Sequence, residues 1–244
     1  IVTYEIQITG TLQGFRFNNI GDKEKILDIK NWAILEMNTS AVFRGCRNLV
    51  ATATDKPKNI TTLQNAFNSA FDFNGNLNNW DVSSVTNFGG CFFRAREFNG
   101  DITNWDVSSA TSFQDMFDDA ERFNQDISNW DVSNVENFKE MFLGADDFNQ
   151  PIGSWTIKNG GNVNMQRMFR NAISFDQSLA NWNMTQVNNL IEFLSNATLS
   201  TANYDATLIG WAAQTVQSGL TCDFGSSQYT AGGAAEAARN TLIN

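Results

Sequence analysis

Asp101 and Asp126, exactly one 25-residue step apart, are the acidic residues whose type and spacing best suit chemistry in this chain of 244 residues. If the segments that carry them stack as adjacent strands, their carboxylates lie about 5 Å apart. Two carboxylates that close repel unless a cation or hydrogen bonds intervene, which makes the pair a candidate calcium site. The ladder is short, because Asn76, Pro151 and Ser178 take the matching positions elsewhere. No Asp-x-Asp-x-Asp-Gly calcium loop accompanies it.

A second set of candidates lies where the chain does not repeat, since a stacked array selects its partner through the side chains that stacking leaves free. Arg94 and Arg96 with Glu97, Arg122 with Asp118, Asp119 and Glu121, and Asp146 with Asp147 form a charged edge. Arg94, Arg96 and Arg122 are the expected ligand contacts on it. A solvated face with no ligand is the alternative account of the same residues.

Other chemistry is excluded by what the sequence lacks. With no His, the Ser-His-Asp, Cys-His and His-x-x-x-His arrangements are absent. There is no Gly-rich phosphate loop. A glycosidase working through two carboxylates survives this test, but a repeat supplies many such pairs, so no catalytic residue is assigned and binding is the expected role. Cys46, Cys91 and Cys222 are odd in number and widely spaced, which speaks against a disulfide framework or a structural zinc site. A formal net charge of -10 repels phosphate backbones and anionic lipid, so neither nucleic acid nor a membrane surface is an expected partner. No run approaches the roughly 20 apolar residues of a membrane span.

The elements that position these residues are set by a repeat. Asn79-Trp80-Asp81-Val82-Ser83 recurs unchanged at 104–108 and 129–133, and the series Trp80, Trp105, Trp130 and Trp155 advances by 25 residues before Trp182 follows after 27. Each Trp has a Phe seven residues before it and an aliphatic residue three before it, as in Phe98-Ile102-Trp105 and Phe123-Ile127-Trp130. Val85, Phe88, Cys91, Phe92 and Ala95 fall at helical spacing, and the sets beginning at Ala110 and Val135 do the same. The pattern predicts a short helix of about ten residues per unit, capped by the Ser of Trp-Asp-Val-Ser, with Ser133 and Glu136 at capping-box spacing. The Ile-to-Val segment through each Trp is the predicted strand. The two extra residues near Gly160 and Gly161 should bulge from a loop.

A unit with one strand and one short helix cannot cover its own apolar face, so units must stack. The expected fold is therefore an α/β solenoid, a leucine-rich-repeat-like right-handed stack with atypical caps. Residues 1–39 form a β-rich N-terminal cap or the tail of a preceding β-sandwich, with strand-like alternation over 1–10 and Phe15, Phe17, Ile26, Leu27 and Ile29 beyond it. Residues 40–197 are the repeats. Residues 198–244 are a C-terminal cap with a helix after Ser200, a strand over 220–224 and an Ala-rich helix over 231–243. The Phe ladder is expected in the core, the Asn ladder at 74, 99, 124 and 149 on backbone groups of adjacent turns, and Asp81, Asp106 and Asp131 on free N–H groups of the next element.

The phrases Phe-Asn-Gln-Asp-Ile-Ser-Asn-Trp-Asp-Val-Ser-Asn-Val at 123–135 and Met-Phe-Leu-Gly-Ala-Asp-Asp-Phe-Asn-Gln at 141–150 resemble the surface-protein repeat of BspA-like bacterial proteins. The resemblance covers roughly 40–197. It implies a leucine-rich-repeat-like solenoid on a bacterial cell surface, part of a longer secreted chain, that binds a glycan or protein on another surface or else serves as a passive spacer. It brings no catalytic residues with it.

Overall fold

The computed structural model describes residues 11, 13 and 16–243. The strand expected over 1–10, and Phe15, lie outside the described residues. The chain is a succession of units stacked in parallel, and the stacking begins upstream of the expected boundary at 40, since Phe17 and Asn19 N–H groups donate to the carbonyls of Val42 and Arg44; what joins the units is best seen in one unit's backbone.

In the segment 88–95, the N–H groups of Phe88, Gly90, Phe92 and Arg94 donate to the carbonyls of Ser112, Gln114, Met116 and Asp118 in the next unit, at 2.7–3.0 Å. The N–H groups of Cys91, Phe93 and Ala95 close turns onto Phe88, Gly90 and Phe92. Gly89 N–H is taken by the Asn87 side chain at 2.8 Å. The carbonyls of Gly89, Cys91 and Phe93 receive the N–H groups of Asn65, Phe67 and Ser69 from the unit before. Every backbone donor of the segment is thus satisfied, half locally and half by a neighbour, which is the condition for burying it. The same scheme runs from Phe113 to Asp119 onto 137–143, from Phe138 to Gly144 onto 164–170, and from Met165 to Asn171 onto 189–195.

The helix predicted in each unit does not form. The segment is instead a run of overlapping turns with left-handed backbone at every fourth residue: Gly90 and Arg94, Asp115 and Asp119, Glu140 and Gly144, Arg167 and Asn171. A left-handed residue at the third place of a turn is the type II geometry, and its recurrence prevents the consecutive i to i−4 bonds of a helix. The apolar spacing is the same because a four-residue turn also brings its first and last residues to one side. For the same reason Ser133 caps no helix; its N–H donates to Asp131 at 3.0 Å, and Glu136 pairs with Lys158. The strand predicted through Trp is also displaced. Parallel pairing falls instead on Asn87, Ser112, Asn137 and Asn164, and on β1 (Asp28–Ile29) with β2 (Val50–Ala51) and β3 (Val163–Asn164) with β4 (Val187–Asn189). The Ile-to-Val segment is spent on turns around Trp, so it has no extended run to offer a partner.

Side chains repeat with the backbone. Phe67, Phe92, Phe117, Phe142 and Phe169 stack ring on ring at 5.5–5.7 Å, within 8° of parallel. A second column, Phe73, Phe98, Phe123, Phe148 and Phe175, runs beside it at 5.8–6.1 Å. Within a unit the two columns touch face to face, as Phe117 and Phe123 do at 3.8 Å. All ten rings are fully buried. At the unit corner the Asn ladder does what was expected of it: Asn74, Asn99 and Asn124 each accept the N–H of the Asn one unit on at 2.8–3.0 Å, and Asn149 accepts that of Asp176. Gln125, Gln150 and Gln177 donate back to the same oxygens.

The insertion at Gly160 and Gly161 is an exposed bend with both glycines at positive φ. The C-terminal end is closed by α1 (Thr201–Ala212), which buries Tyr204, Leu208 and Trp211, and by α2 (Ala234–Ile243), which packs on it. Ser200 precedes α1 as predicted, but its hydroxyl donates to Asp176 rather than capping the helix. The strand expected over 220–224 is an extended loop held by the bond from Leu194 N–H to Asp223 O.

Two stability measurements check this account. Phe117→Ala removes a ring from the middle of both contacts and is expected to cost about 3–5 kcal/mol in urea unfolding. Ala41 is a non-glycine residue held at φ 61°, so Ala41→Gly is expected to raise the unfolding midpoint, by an amount on the order of 1 kcal/mol.

Candidate functional site

The sequence-derived candidates are built into the stack. Asp101 accepts the N–H and hydroxyl of Thr103 on one oxygen, at 3.0 and 2.8 Å, and Asn78 Nδ2 on the other at 2.8 Å. Asp126 accepts the N–H of Ser128 at 3.0 Å, and its bonding to Ser128 holds its carboxyl below the usual range. Each carboxylate thus closes a turn of its own unit. Asp81 and Asp106 likewise take the N–H and hydroxyl of the Ser two residues on. Arg94, Arg96 and Arg122 each reach an acid one unit ahead: Asp119 at 3.4 Å, Glu121 at 3.2 Å and Asp147 at 3.3 Å. The charged edge is a self-paired ladder; its arginines are more than half exposed, so each pair contributes about 0–1 kcal/mol. Arg96 also lies over the Phe71 ring, which Arg47 approaches as well.

The tryptophans offer no stacking platform to a ligand, since none from Trp32 to Trp182 is more than 4% exposed. Trp105, Trp155 and Trp182 instead donate their indole N–H to the carbonyls of Leu77, Ile127 and Ile152 at 2.8–3.0 Å. Cys46 and Cys91 are buried free thiols, and burial pushes Cys46 up to about 12, out of the range of a thiolate nucleophile.

Two features not singled out in the sequence stand together on the turn face. The first is a cavity of about 330 Å³ whose lining includes Asn65, Asn68, Phe93, Gln114, Asp115 and Arg44. It lies over Gly89 and Gly90, where neighbouring units carry Gln114-Asp115 and Gln64-Asn65. The glycines are needed there: a Cβ on Gly90 would come within 2.5 Å of Asn65 Oδ1, and one on Gly89 within 2.9 Å of Asn87 Oδ1. A larger hollow of about 450 Å³ beside Trp130 and Trp155 is lined mostly by side chains of the repeat signature.

The second feature is a cluster of Asp115, Asp118 and Glu140, with one carboxylate oxygen from each lying within 4.8 Å of the others. Asp115 and Glu140 occupy the same left-handed place in successive units, and Asp118 lies three residues beyond Asp115 on the same turn. Asp118 is only 8% exposed. Burial, with Asp119, Asp115 and Glu140 nearby and Arg94 partly offsetting them, pushes its carboxyl up to about 8. Burial and Glu140 push Asp115 up to about 6, against the hydrogen bond from Gln114. Glu140 is tied to Arg167 at 3.2 Å and Lys139 at 3.6 Å.

The sequence placed Asp118 on the charged edge with Asp119, but the fold separates them: Asp119 points to Arg94 and Asp118 inward. A signal was available. One unit either way, the places matching Asp118 hold Phe93 and Leu143, so the column is apolar on both sides. The cavity was less legible, because a Gly pair within a pattern assigned to a helix reads as a weak helix rather than a gap in a side-chain row.

The raised carboxyls set a pH dependence. A group whose folded value lies above its unfolded one favours folding at low pH and loses that contribution as pH rises through the folded value. Stability in divalent-free buffer is therefore expected to fall between about pH 4 and about pH 8, and Asp118→Asn to flatten that fall, in urea titrations across the range. The lowered carboxyls of Asp81, Asp126 and Asp131 act in the opposite sense and at lower pH, below about 4.

Comparison with known proteins places these features in a family. No curated protein and no solved structure matches the chain. A protein family described as Mycoplasma protein of unknown function, DUF285, matches residues 37–155 and again 102–208, the two matches overlapping across the central units and together spanning most of the described stack. The chain belongs to this DUF285 family.

Proposed function

We propose that this chain is a repeat solenoid of the bacterial cell surface that acts as a binding module, and that its ligand is a glycan taken into the cavity over Gly89 and Gly90. The surface assignment rests on the resemblance to BspA-like repeats. Among the described residues no helix is long and apolar enough to cross a membrane.

The cavity carries the proposal. Its volume of about 330 Å³ is at the lower end of small-ligand sites. Asn65, Asn68 and Gln114 line it with planar amides, whose second lone pairs and N–H groups can meet sugar hydroxyls beside the bonds they already make to one another and to Ser69, Asp115 and Asn137. Asp115 adds an acceptor, and the half-buried Phe93 ring, over one face of which Arg94 lies at 5.0 Å, adds apolar surface for the C–H side of a pyranose. Among the described residues the glycine pair opens the row in the unit of Gly89 and Gly90. The Phe ladder and the paired arginines are committed to the stack, so the proposal rests on this lining.

A glycan array probed with the full chain tests the proposal. Binding to a defined saccharide is expected, weakened tenfold or more by Phe93→Ala and by Gln114→Ala, with the unfolding transition of each variant close to that of the parent. No binding to glycans or to a peptide library under any condition would overturn it and favour a passive spacer. Binding to peptides alone would overturn the glycan assignment.

A further inference from the structure

We propose that Asp115, Asp118 and Glu140 form a binding site for a calcium-class divalent cation, distinct from the Asp101 and Asp126 ladder and sharing Asp115 alone with the lining of the neighbouring cavity.

Geometry supports this in three steps. First, an oxygen of each side chain lies within 4.8 Å of the others, so an ion at their centre is within about 2.8 Å of all three, close to the 2.3–2.6 Å typical of calcium. Among the described residues this is the only group of three or more metal-competent side chains so disposed. Second, the cluster contains polar atoms that the protein itself leaves unserved. Asp118 is more than nine-tenths buried, and its carboxylate takes part in no hydrogen bond or ion pair; Asp115 Oδ1 is completely buried and has no partner either. A buried acceptor without a donor is destabilising, and Asp115 Oδ1 is such an atom in the same cluster as the unpartnered Asp118 carboxylate. A cation coordinated there relieves that penalty. Third, the donor set is all oxygen, with no His or Cys, which selects hard ions over zinc or copper.

The surroundings hold the ligands without saturating them. Glu140 is anchored from outside by Arg167 and Lys139, and the second oxygen of Asp115 receives Gln114 Nε2 at 3.1 Å. Gln114 in turn accepts Asn137 Nδ2 at 3.0 Å. Asp115 and Glu140 come from successive units, and the backbone bond from Asp115 N–H to Lys139 O, at 2.9 Å, fixes their separation. The site thus bridges an interface between units, and an ion in it would clamp that interface.

Calcium chloride titrated calorimetrically into the full chain after chelator treatment tests the site, with magnesium chloride as a second arm and thermal unfolding as a parallel readout. One saturable calcium event and a rise in the unfolding temperature are expected. Asp118→Asn should weaken calcium binding tenfold or more while leaving the cation-free protein at least as stable as the parent. Glu140→Gln should also weaken binding, which keeps the test valid if one variant fails to fold. Asp126→Asn should bind as the parent does. Absence of any calcium or magnesium binding at millimolar concentrations would overturn the proposal, as would binding that Asp126→Asn abolishes and Asp118→Asn leaves intact.

Discussion

A backbone N–H can be given either to its own turn or to the next unit, and the alternation of these two choices is the constraint on which this molecule rests. Residues 88–95 take them in turn, one inward to the preceding three-residue step and one outward to 112–118. Neither half suffices alone: the local bonds make isolated turns, and the outward bonds need a neighbour already in register. The 25-residue period of the chain is the period of that register, because a slip of one residue would exchange the two roles and leave each donor facing the wrong acceptor. The Phe columns follow from it. Rings at 5.5–6.1 Å along the stack are held near that distance by hydrogen bonds that set one unit upon the next.

The same constraint explains why side-chain amides and carboxylates are so numerous and so little available. Each unit reverses direction several times, and at each reversal an Asn, Asp, Ser or Thr takes a backbone N–H two residues on, as Asn87, Asp101, Asp126, Asn137 and Asn164 do. Polar residues that look like ligands on a linear sequence are therefore mostly internal fittings. What distinguishes the turn face near Gly89, Gly90 and Asp118 is that the fittings are missing or in surplus there.

Much of the architecture was legible in the sequence: the repeat length, the buried Phe and Trp positions, the Asn ladder and the two helices at the C-terminal end all follow from spacing and residue type. The local conformation was not. Phe88, Cys91, Phe92 and Ala95 fit a helix and a chain of four-residue turns equally well, and what decides between them is the hydrogen bonding of Gly90 and Arg94 to a unit 24 residues away, which no window of the sequence contains. The candidate site was missed for a related cause. Asp101 and Asp126 have the better spacing but are consumed by Thr103 and Ser128, whereas Asp115, Asp118 and Glu140 come together only because the left-handed turns place two successive units' acids on one side.

The near identity of 79–83, 104–108 and 129–133 has a further meaning. Since successive units present the same hydrogen-bonding edge above and below, removing or duplicating one whole period leaves the junctions that remain chemically equivalent. Length is therefore a free variable of this design, and reach from an anchoring point could be tuned by recombination without re-solving the fold. A feature confined to one period, such as the glycine pair, would move with that period and so acts as a marker of height along the column.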